Sequence, residues 1–496
     1  MVDSAQSAAA AADPVQTGDK LTPESRIAIG VLIASAFTVI LNEMLMILAL
    51  PRVMADLGVT ASSGQWLTTG YMLTMAVVIP TTGFLTERFR MRTVFTFAMS
   101  LFVVGTLVAI LAPNFPVLLV ARAIQAVGTA IATPLAFTAV AALAPPSRTG
   151  RMMALLTVST STAPAFGPAI SGAILSVADW RWLFVAILPI AVICLLVGNW
   201  QIRVPSTLRK SKIDGLSVLL SAIGFAGVVY GLAAFGEAPG HSFVVSPWAS
   251  LAVGFGVVGL FVARQIQLQR FDRALLDMRP FAIRSFAVPA LLAVFFMTAA
   301  SGMMTLMQFI LQSSYGLTPL QTGLFALPGG LTIIVISMVV GRFYDRLGAR
   351  PLMVTGALID GVGLWFLSTL APGTNIWLLL ATYMFIIVGQ AFLWTPTFAA
   401  SLGALNKHLL PHGSAIMNTI QQLAGASGIA IAFAVTTTTS AALLTSGDTV
   451  GPALARGAQH SHLVGCGMVV VALLVALMMP KRAASATPNG RPVVAH

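Results

Sequence analysis

The sequence predicts an all-α membrane protein with fourteen transmembrane helices. Of its residues, 57% are hydrophobic and 8% charged, a balance far outside that of soluble domains. The chain holds fourteen apolar runs, each close to the roughly 20 residues that cross a hydrocarbon core of about 30 Å as a helix. Lys and Arg gather in every second connection between the runs, the pattern left when alternate loops stay cytoplasmic. Run length also excludes a barrel, whose strands would be about ten residues of alternating character.

Residues 1–25 are polar and Ala-rich without an apolar centre, and read as a disordered cytoplasmic tail, not a signal peptide. The first two runs cover 26–50 and 64–84 and precede Arg88, Arg90 and Arg92. Runs over 93–112 and 115–143 precede Arg148 and Arg151; runs over 152–177 and 181–200 precede Arg203, Arg209, Lys210 and Lys212. The next pair, 214–234 and 246–264, leads to Arg264, Arg270, Arg273, Arg279 and Arg284. Runs over 286–312 and 318–343 lead to Arg342, Arg346 and Arg350, and those over 350–370 and 375–403 to Lys407. The last two, 412–440 and 460–480, end in a second cytoplasmic tail, 481–496, with Lys481, Arg482 and Arg491. The other connections hold only Arg52, Arg181 and Arg456, so both termini are expected in the cytoplasm.

A net charge of +12 distributed in this way reports orientation and contact with anionic lipid, not a nucleic-acid surface. Cys194 and Cys466 fall inside apolar runs without metal-ligand spacing, so neither a disulfide framework nor a metal is implied. The histidines are expected at loop or terminal positions, and no G-x-S-x-G or metal-spaced set points to an enzyme or a cofactor. A G-x-x-x-x-G-K-[ST] loop is also missing, which leaves an ion gradient as the energy source for any pumping.

Two stretches echo each other. Gly83-Phe84-Leu85-Thr86-Glu87-Arg88-Phe89-Arg90-Met91-Arg92 follows the second run and Gly341-Arg342-Phe343-Tyr344-Asp345-Arg346-Leu347-Gly348-Ala349-Arg350 the tenth. Gly at these turns allows close helix packing, the acid can face a helix N-terminus, and the arginines meet headgroups or acids of the other half. Two copies on equivalent helices point to repeated halves. The pair resembles motif A of the major facilitator superfamily, closely in the second copy at Gly341, Asp345, Arg346, Gly348 and Arg350, with Glu87, Arg90 and Met91 as departures in the first. Arg122-Ala123-Ile124-Gln125-Ala126-Val127-Gly128 resembles motif B, and Ala163-Pro164-Ala165-Phe166-Gly167-Pro168-Ala169-Ile170-Ser171-Gly172 resembles motif C, the antiporter motif of exporters. Leu41-Asn42-Glu43 through Ala49-Leu50-Pro51 is similar to the first-helix motif of the fourteen-helix drug:proton antiporters, with Asn42 in place of the usual Asp; Trp180-Arg181-Trp182-Leu183-Phe184 resembles their junction between helices 5 and 6.

The resemblance implies a major facilitator fold of two pseudo-symmetric six-helix bundles, 26–200 and 286–480, with two additional helices and their flanking loops in 201–285. It implies a bacterial inner-membrane exporter working as a monomer, exchanging lipophilic or cationic compounds for protons. The alternative is a proton-coupled exporter of one endogenous metabolite or antibiotic, or an importer on the same scaffold; motif C favours export.

Site residues follow from depth and chemistry. Glu43 is a lone acid in an apolar run, a costly placement that marks function. Arg122 lies at similar depth, both roughly 10 to 12 Å from the outer boundary at 1.5 Å per residue. A neighbouring cation and exclusion of water act oppositely on a carboxylate's proton, so alternating conformations favour different occupancies. Glu43 is thus expected to carry the proton and Arg122 to tune it, unless the two form a structural ion pair. Asp360, the other acid at membrane depth, is either a second proton or cation site or a hydrogen-bonding residue between helices. Gly167 and Gly172 allow backbone-distance packing and Pro168 a bend; with Gly83, Glu87, Arg88, Gly341, Asp345, Arg346 and Gly348 they form the gating motifs. The substrate cavity is expected from Asn42, Trp66, Tyr71, Met72, Met75, Met304, Met307, Gln308, Gln312, Asn418, Gln421 and Gln422, aromatics, thioethers and amides suited to varied lipophilic cations or else ordinary packing residues.

Overall fold

The computed structural model describes residues 23–143, 149–202, 214–234, 246–271, 274–371, 373–406, 409–446 and 450–480. Among them are fourteen helices of 20 residues or more. In chain order the helices are α1 (Pro23–Leu57), the four-residue α2 (Ala61–Gly64), α3 (Trp66–Arg88), α4 (Met91–Ile110), α5 (Phe115–Leu143), α6 (Thr149–Val177) and α7 (Arg181–Gln201). There follow α8 (Gly215–Ala234), α9 (Pro247–Leu268), α10 (Arg284–Ser313), α11 (Pro319–Leu347), α12 (Ala349–Thr369), α13 (Ile376–Gly403), α14 (Leu410–Thr445) and α15 (Val450–Leu477). Among the described residues twelve are long and apolar enough to cross a membrane; α3, rich in Thr, and α6, rich in Thr and Ser, are the other two. The two tails and the loops carrying Arg148, Arg203, Arg209, Lys210, Lys212, Arg273 and Lys407 lie outside the described residues.

Apolar runs place the helices well except at α15, which begins ten residues before the predicted 460. Its first three turns contain Arg456, Gln459 and His460, so hydropathy misses them. Small residues hold them instead: a Cβ on Gly457 would lie 2.5 Å from the Thr436 carbonyl, and the Ser440 hydroxyl donates to the Ala453 carbonyl at 3.0 Å. Backbone-distance contact replaces side-chain hydrophobicity there.

α1 packs on α5, α6 and α7, α4 on α5 and α7, and α3 on α5. α10 packs on α13, α14 and α15, and α12 on α13 and α15. The two groups meet where α6 lies along α11, α3 along α14 and α1 against α10. α8 and α9 pair with each other, and α8 also touches α3 and α14. Buried Phe95, Phe102, Trp180 and Phe184 fill the first core; Phe286, Phe296, Met353 and Ile386 fill the second.

Polar clusters fasten the two ends of the molecule. At the end where α1 finishes, here called the upper end, Asp56 accepts from the Trp180 indole at 2.9 Å and from Arg181 at 3.2 Å. Arg181 also binds Asp179 at 2.9 Å and the Ala112 carbonyl at 3.1 Å. At the lower end Arg264 grips Asp214 through two bonds of 2.6 and 2.8 Å, which holds the Asp214 carboxyl down at about 2. Ser217 donates to the same carboxylate and accepts from Gln265, whose carbonyl oxygen receives the Leu275 and Leu276 amides. The segment between α9 and α10 is thereby tied to α9. Arg284 extends the tie to α15 by donating to the Met478 carbonyl at 3.2 Å.

Candidate functional site

Arg122 on α5 is entirely buried, and its partners come from α5 itself and α3. Nη1 donates to the Gln125 side-chain oxygen one turn below at 3.1 Å, and Nε donates to the Leu67 carbonyl of α3 at 3.4 Å. The guanidinium lies 4.0 Å from the centre of the Tyr71 ring, a cation–π distance. Gln125 is the hub: its oxygen also accepts from Asn42 of α1 at 3.4 Å and its amide donates to Thr106 of α4 at 2.9 Å. Thr129 donates to the Gln125 carbonyl, so the 2.7 Å contact between Tyr71 and Thr129 is donated by the phenol. One network thus joins α1, α3, α4 and α5.

Glu43 adjoins this network and is 6% exposed. It lies within electrostatic reach of Arg122, yet among the described residues no cation comes within 4.0 Å of its carboxylate. The structural ion pair weighed from the sequence does not form. Arg122 is occupied by neutral acceptors and a ring, which leaves the Glu43 carboxylate uncommitted.

Above this site the two groups of helices are closed on each other. A Cβ on Gly172 of α6 would stand 2.4 Å from the Pro319 carbonyl of α11, and one on Gly323 of α11 would stand 2.3 Å from the Pro168 carbonyl. Gly167 faces α1, where a Cβ would meet the Met44 Cβ at 2.6 Å. Gln312 of α10 closes the same region by donating to the Leu48 carbonyl at 3.1 Å. Residues 32–429 match the Major Facilitator Superfamily. The chain belongs to that family. It is 37% identical to the uncharacterized MFS-type transporter YcnB of Bacillus subtilis over 93% of this chain and 96% of that one. Identity to the lincomycin resistance protein LmrB of Listeria monocytogenes is 33%, over 94% of this chain and 98% of that one. A bacterial homologue of the lysosomal transporter Spinster, solved inward-facing, shares the fold with a TM-score of 0.62 at 13% identity, over 93% of this chain and 98% of that one. The protein is accordingly a multi-pass membrane transporter of small molecules.

Within the major facilitator fold, the residues expected to line a cavity separate. Tyr71 and Asn42 belong to the Arg122 network. Trp66 instead packs on Tyr230 of α8, ring centres 6.3 Å apart. Met72 faces α14, its sulfur 2.9 Å from where a Cβ on Gly425 would be; Met75 is buried beside it. Met307 and Gln308 are buried on α10, while Met304 is half-buried. Gln312 also donates to the Gln308 carbonyl, and Asn418 donates to the Ser414 carbonyl within α14. Gln421 and Gln422 are half-buried on the same helix.

Among the gating residues, Arg88 and Arg346 are exposed, and Gly348 takes φ +77° between α11 and α12, a conformation suited to Gly. Gly341 differs from the expectation of close helix packing: among the described residues a Cβ there would meet nothing within 4 Å. The side chains at Gly83, Glu87 and Asp345 lie outside the described part of the structure.

Asp360 is fully buried on α12, and neither oxygen has a hydrogen-bond partner among the described residues. Its polar neighbour is Gln390 of α13, whose amide nitrogen is likewise unpaired, and the backbones touch where a Cβ on Gly389 would stand 2.5 Å from the Asp360 amide. The histidine expectation is also corrected. His462 lies inside α15, 7% exposed, and lines a cavity of about 20 Å³ with Thr298, Gly302, Leu364 and Gly428. It falls at the start of the apolar run predicted over 460–480, behind the polar Gln459, His460 and Ser461. Sequence reasoning also left Thr106, Thr129 and Asp56 unassigned; their partners are 19 to 125 positions away, and no local pattern announces them.

Proposed function

We propose that this transporter exports hydrophobic or cationic compounds in exchange for protons, by alternating access, with Glu43 as the proton carrier. The observation that carries this reading is the uncommitted carboxylate of Glu43 beside a fully buried, neutrally solvated Arg122. A group that must take up and release a proton in every cycle is poorly served by a direct ion pair, which favours one charge state throughout. Arg122 biases the carboxylate from a short distance while its own hydrogen bonds hold it in place. Asp360, buried beside Gln390 in the other half, is a second proton site in this reading.

The export direction is supported by motif C: α6 and α11 meet through Gly172 and Gly323 at backbone distance and close the upper end. We assign that end to the outside of a bacterial inner membrane, with both termini cytoplasmic and fourteen crossings arranged as six, two and six, since the basic loops fall at the opposite end. The lincomycin resistance relatives support drug-like substrates, and Met72, Met75, Met307, Gln308 and Gln422 supply adaptable and amide-bearing surface. Substrate range is tested by loading everted vesicles with dyes and antibiotics, including lincosamides, with the pH gradient present and then collapsed. Proton-dependent uptake of several unrelated compounds is expected in the wild type and lost in Glu43→Gln; uptake that survives either change overturns the antiport reading, and uptake of a single compound moves the assignment to a dedicated exporter.

A further inference from the structure

Many hydroxyls in these helices donate back to the carbonyl one turn earlier. Thr38, Thr74 and Thr106 do so at 2.7, 2.8 and 2.7 Å. Thr133, Thr397, Thr419 and Thr436 depart from this singly, and at the upper end of α3 a whole face does. Gln65 is 1% exposed, and Thr68 and Thr69 are fully buried, yet both side-chain polar atoms of Gln65 and both hydroxyls have no hydrogen-bond partner among the described residues. In Arg122, which packs against the same turn through the Leu67 carbonyl, Nη2 is also unpaired. Spacings of three and four residues place Gln65, Thr68 and Thr69 on neighbouring positions of one helix face, and Tyr71 continues it one turn below Thr68. Just above, Thr60 and Ser63 share a 3.1 Å hydrogen bond at the exposed surface.

Unsatisfied polar groups buried at membrane depth are costly, and Val or Leu would fill the same space without that cost. A row of them leading from the exposed surface to the one fully buried guanidinium among the described residues calls for a function. We propose that Gln65, Thr68 and Thr69 line a hydrated proton route from the upper surface to the Glu43 site, with Arg122 as its plug. Water bridging these groups satisfies each of them and conducts protons by exchange along hydrogen bonds, so that the only net change is a proton arriving on the Glu43 carboxylate. Arg122 links the turn that carries the row to the neighbour of Glu43: it holds the Leu67 carbonyl and, through Gln125, is joined to Asn42. Its fixed charge repels a proton while those bonds are intact, which prevents leakage when the site opens below. Besides Glu43, the titratable and charged groups facing this region are Tyr71 and Arg122, with Tyr230 contributed by α8.

This inference rests on the antiport reading and its orientation, and the test separates the two. Wild type, Gln65→Leu, Thr68→Val, Thr69→Val and the hydroxyl-retaining Thr68→Ser are compared in vesicles for proton-driven uptake across a range of pH, and for counterflow, in which labelled substrate exchanges for unlabelled without net proton movement. Proton-driven uptake is expected to fall roughly tenfold in Gln65→Leu and Thr68→Val, the rate factor of about one lost hydrogen bond at the barrier. Counterflow should be unchanged, and Thr68→Ser should restore coupling. Equal loss of both activities, or loss of neither, overturns the route. Wild-type uptake indifferent to collapse of the gradient overturns the antiport reading instead.

Discussion

Gly172 and Gly323 set the closure of the upper end, and adding a single methyl group tests that claim. In Gly172→Ala the new Cβ stands 2.4 Å from the Pro319 carbonyl oxygen and 2.9 Å from the Leu320 α-carbon, about 1 Å short of the 3.4 Å where ordinary contact begins. Both obstacles are backbone, so α6 and α11 must separate. Gly323→Ala repeats the clash from the other helix, at 2.3 Å from the Pro168 carbonyl. Overpacking of this kind costs about 1 to 3 kcal/mol, and only the closed state incurs it. At about 1.4 kcal/mol per factor of ten, the ratio of open to closed upper end should rise roughly 5- to 100-fold. Gly341→Ala is the matched control, since the same methyl group on α11 meets nothing within 4 Å among the described residues. A single reporter cysteine at Gln312, in a background lacking Cys194 and Cys466, is labelled from outside by an impermeant maleimide. Labelling of Gly172→Ala and Gly323→Ala no faster than that of Gly341→Ala would refute the idea that this contact holds the outer side shut.

Three further predictions follow from the polar clusters. Asp214, held at about 2 by Arg264 against an ordinary 3.8, contributes stability that is full above about pH 4 and disappears as pH falls toward 2; thermal unfolding of Asp214→Asn should therefore lie below wild type by a constant margin from pH 5 to 8, and the two should converge near pH 2 to 3. Asp56→Ala leaves the buried Trp180 indole without its acceptor and should cost about 1 to 2 kcal/mol, whereas its half-exposed pairing with Arg181 is worth under about 1; Asp56→Asn, which keeps an acceptor, should recover most of the loss in a denaturation series. Asp360→Asn keeps the shape of the side chain and an oxygen able to accept from Gln390, so folding should be preserved; a shifted pH profile of transport marks a proton site, and an unchanged one leaves Asp360 to packing.

The sequence made helix positions legible because hydrophobic length is a local property. It failed at the start of α15, where Gly457 and the small residues around it pack by backbone proximity. Motifs B and C located Arg122, Gln125, Gly167 and Gly172, but not what they touch. The partners of Gln125 lie on α1, α4 and α5, and those of Gly172 on α11, contacts that exist only once the bundle is assembled. Matching depths correctly brought Glu43 and Arg122 near each other and wrongly admitted a direct pair, because depth along a helix says nothing about direction around it. Trp66 shows the same limit: an aromatic residue at the right height turns toward α8.

That direction explains the order of Asn42 and Glu43. Adjacent residues on a helix point about 100° apart. Asn42 takes the direction of α5 and donates to Gln125, a bond that a neutral amide keeps whatever the charge nearby. Glu43 takes the next direction and makes no such bond. The family's usual acid at position 42 would combine both tasks, and each protonation would then disturb the contact between α1 and α5. In the antiport proposed above, dividing them would let Asn42 fasten the helices while Glu43 changes charge, with little rearrangement of the network around Arg122. Under that proposal the two losses should be separable: Glu43→Gln is expected to act on coupling, and changes at Asn42 on the packing of α1 against α5.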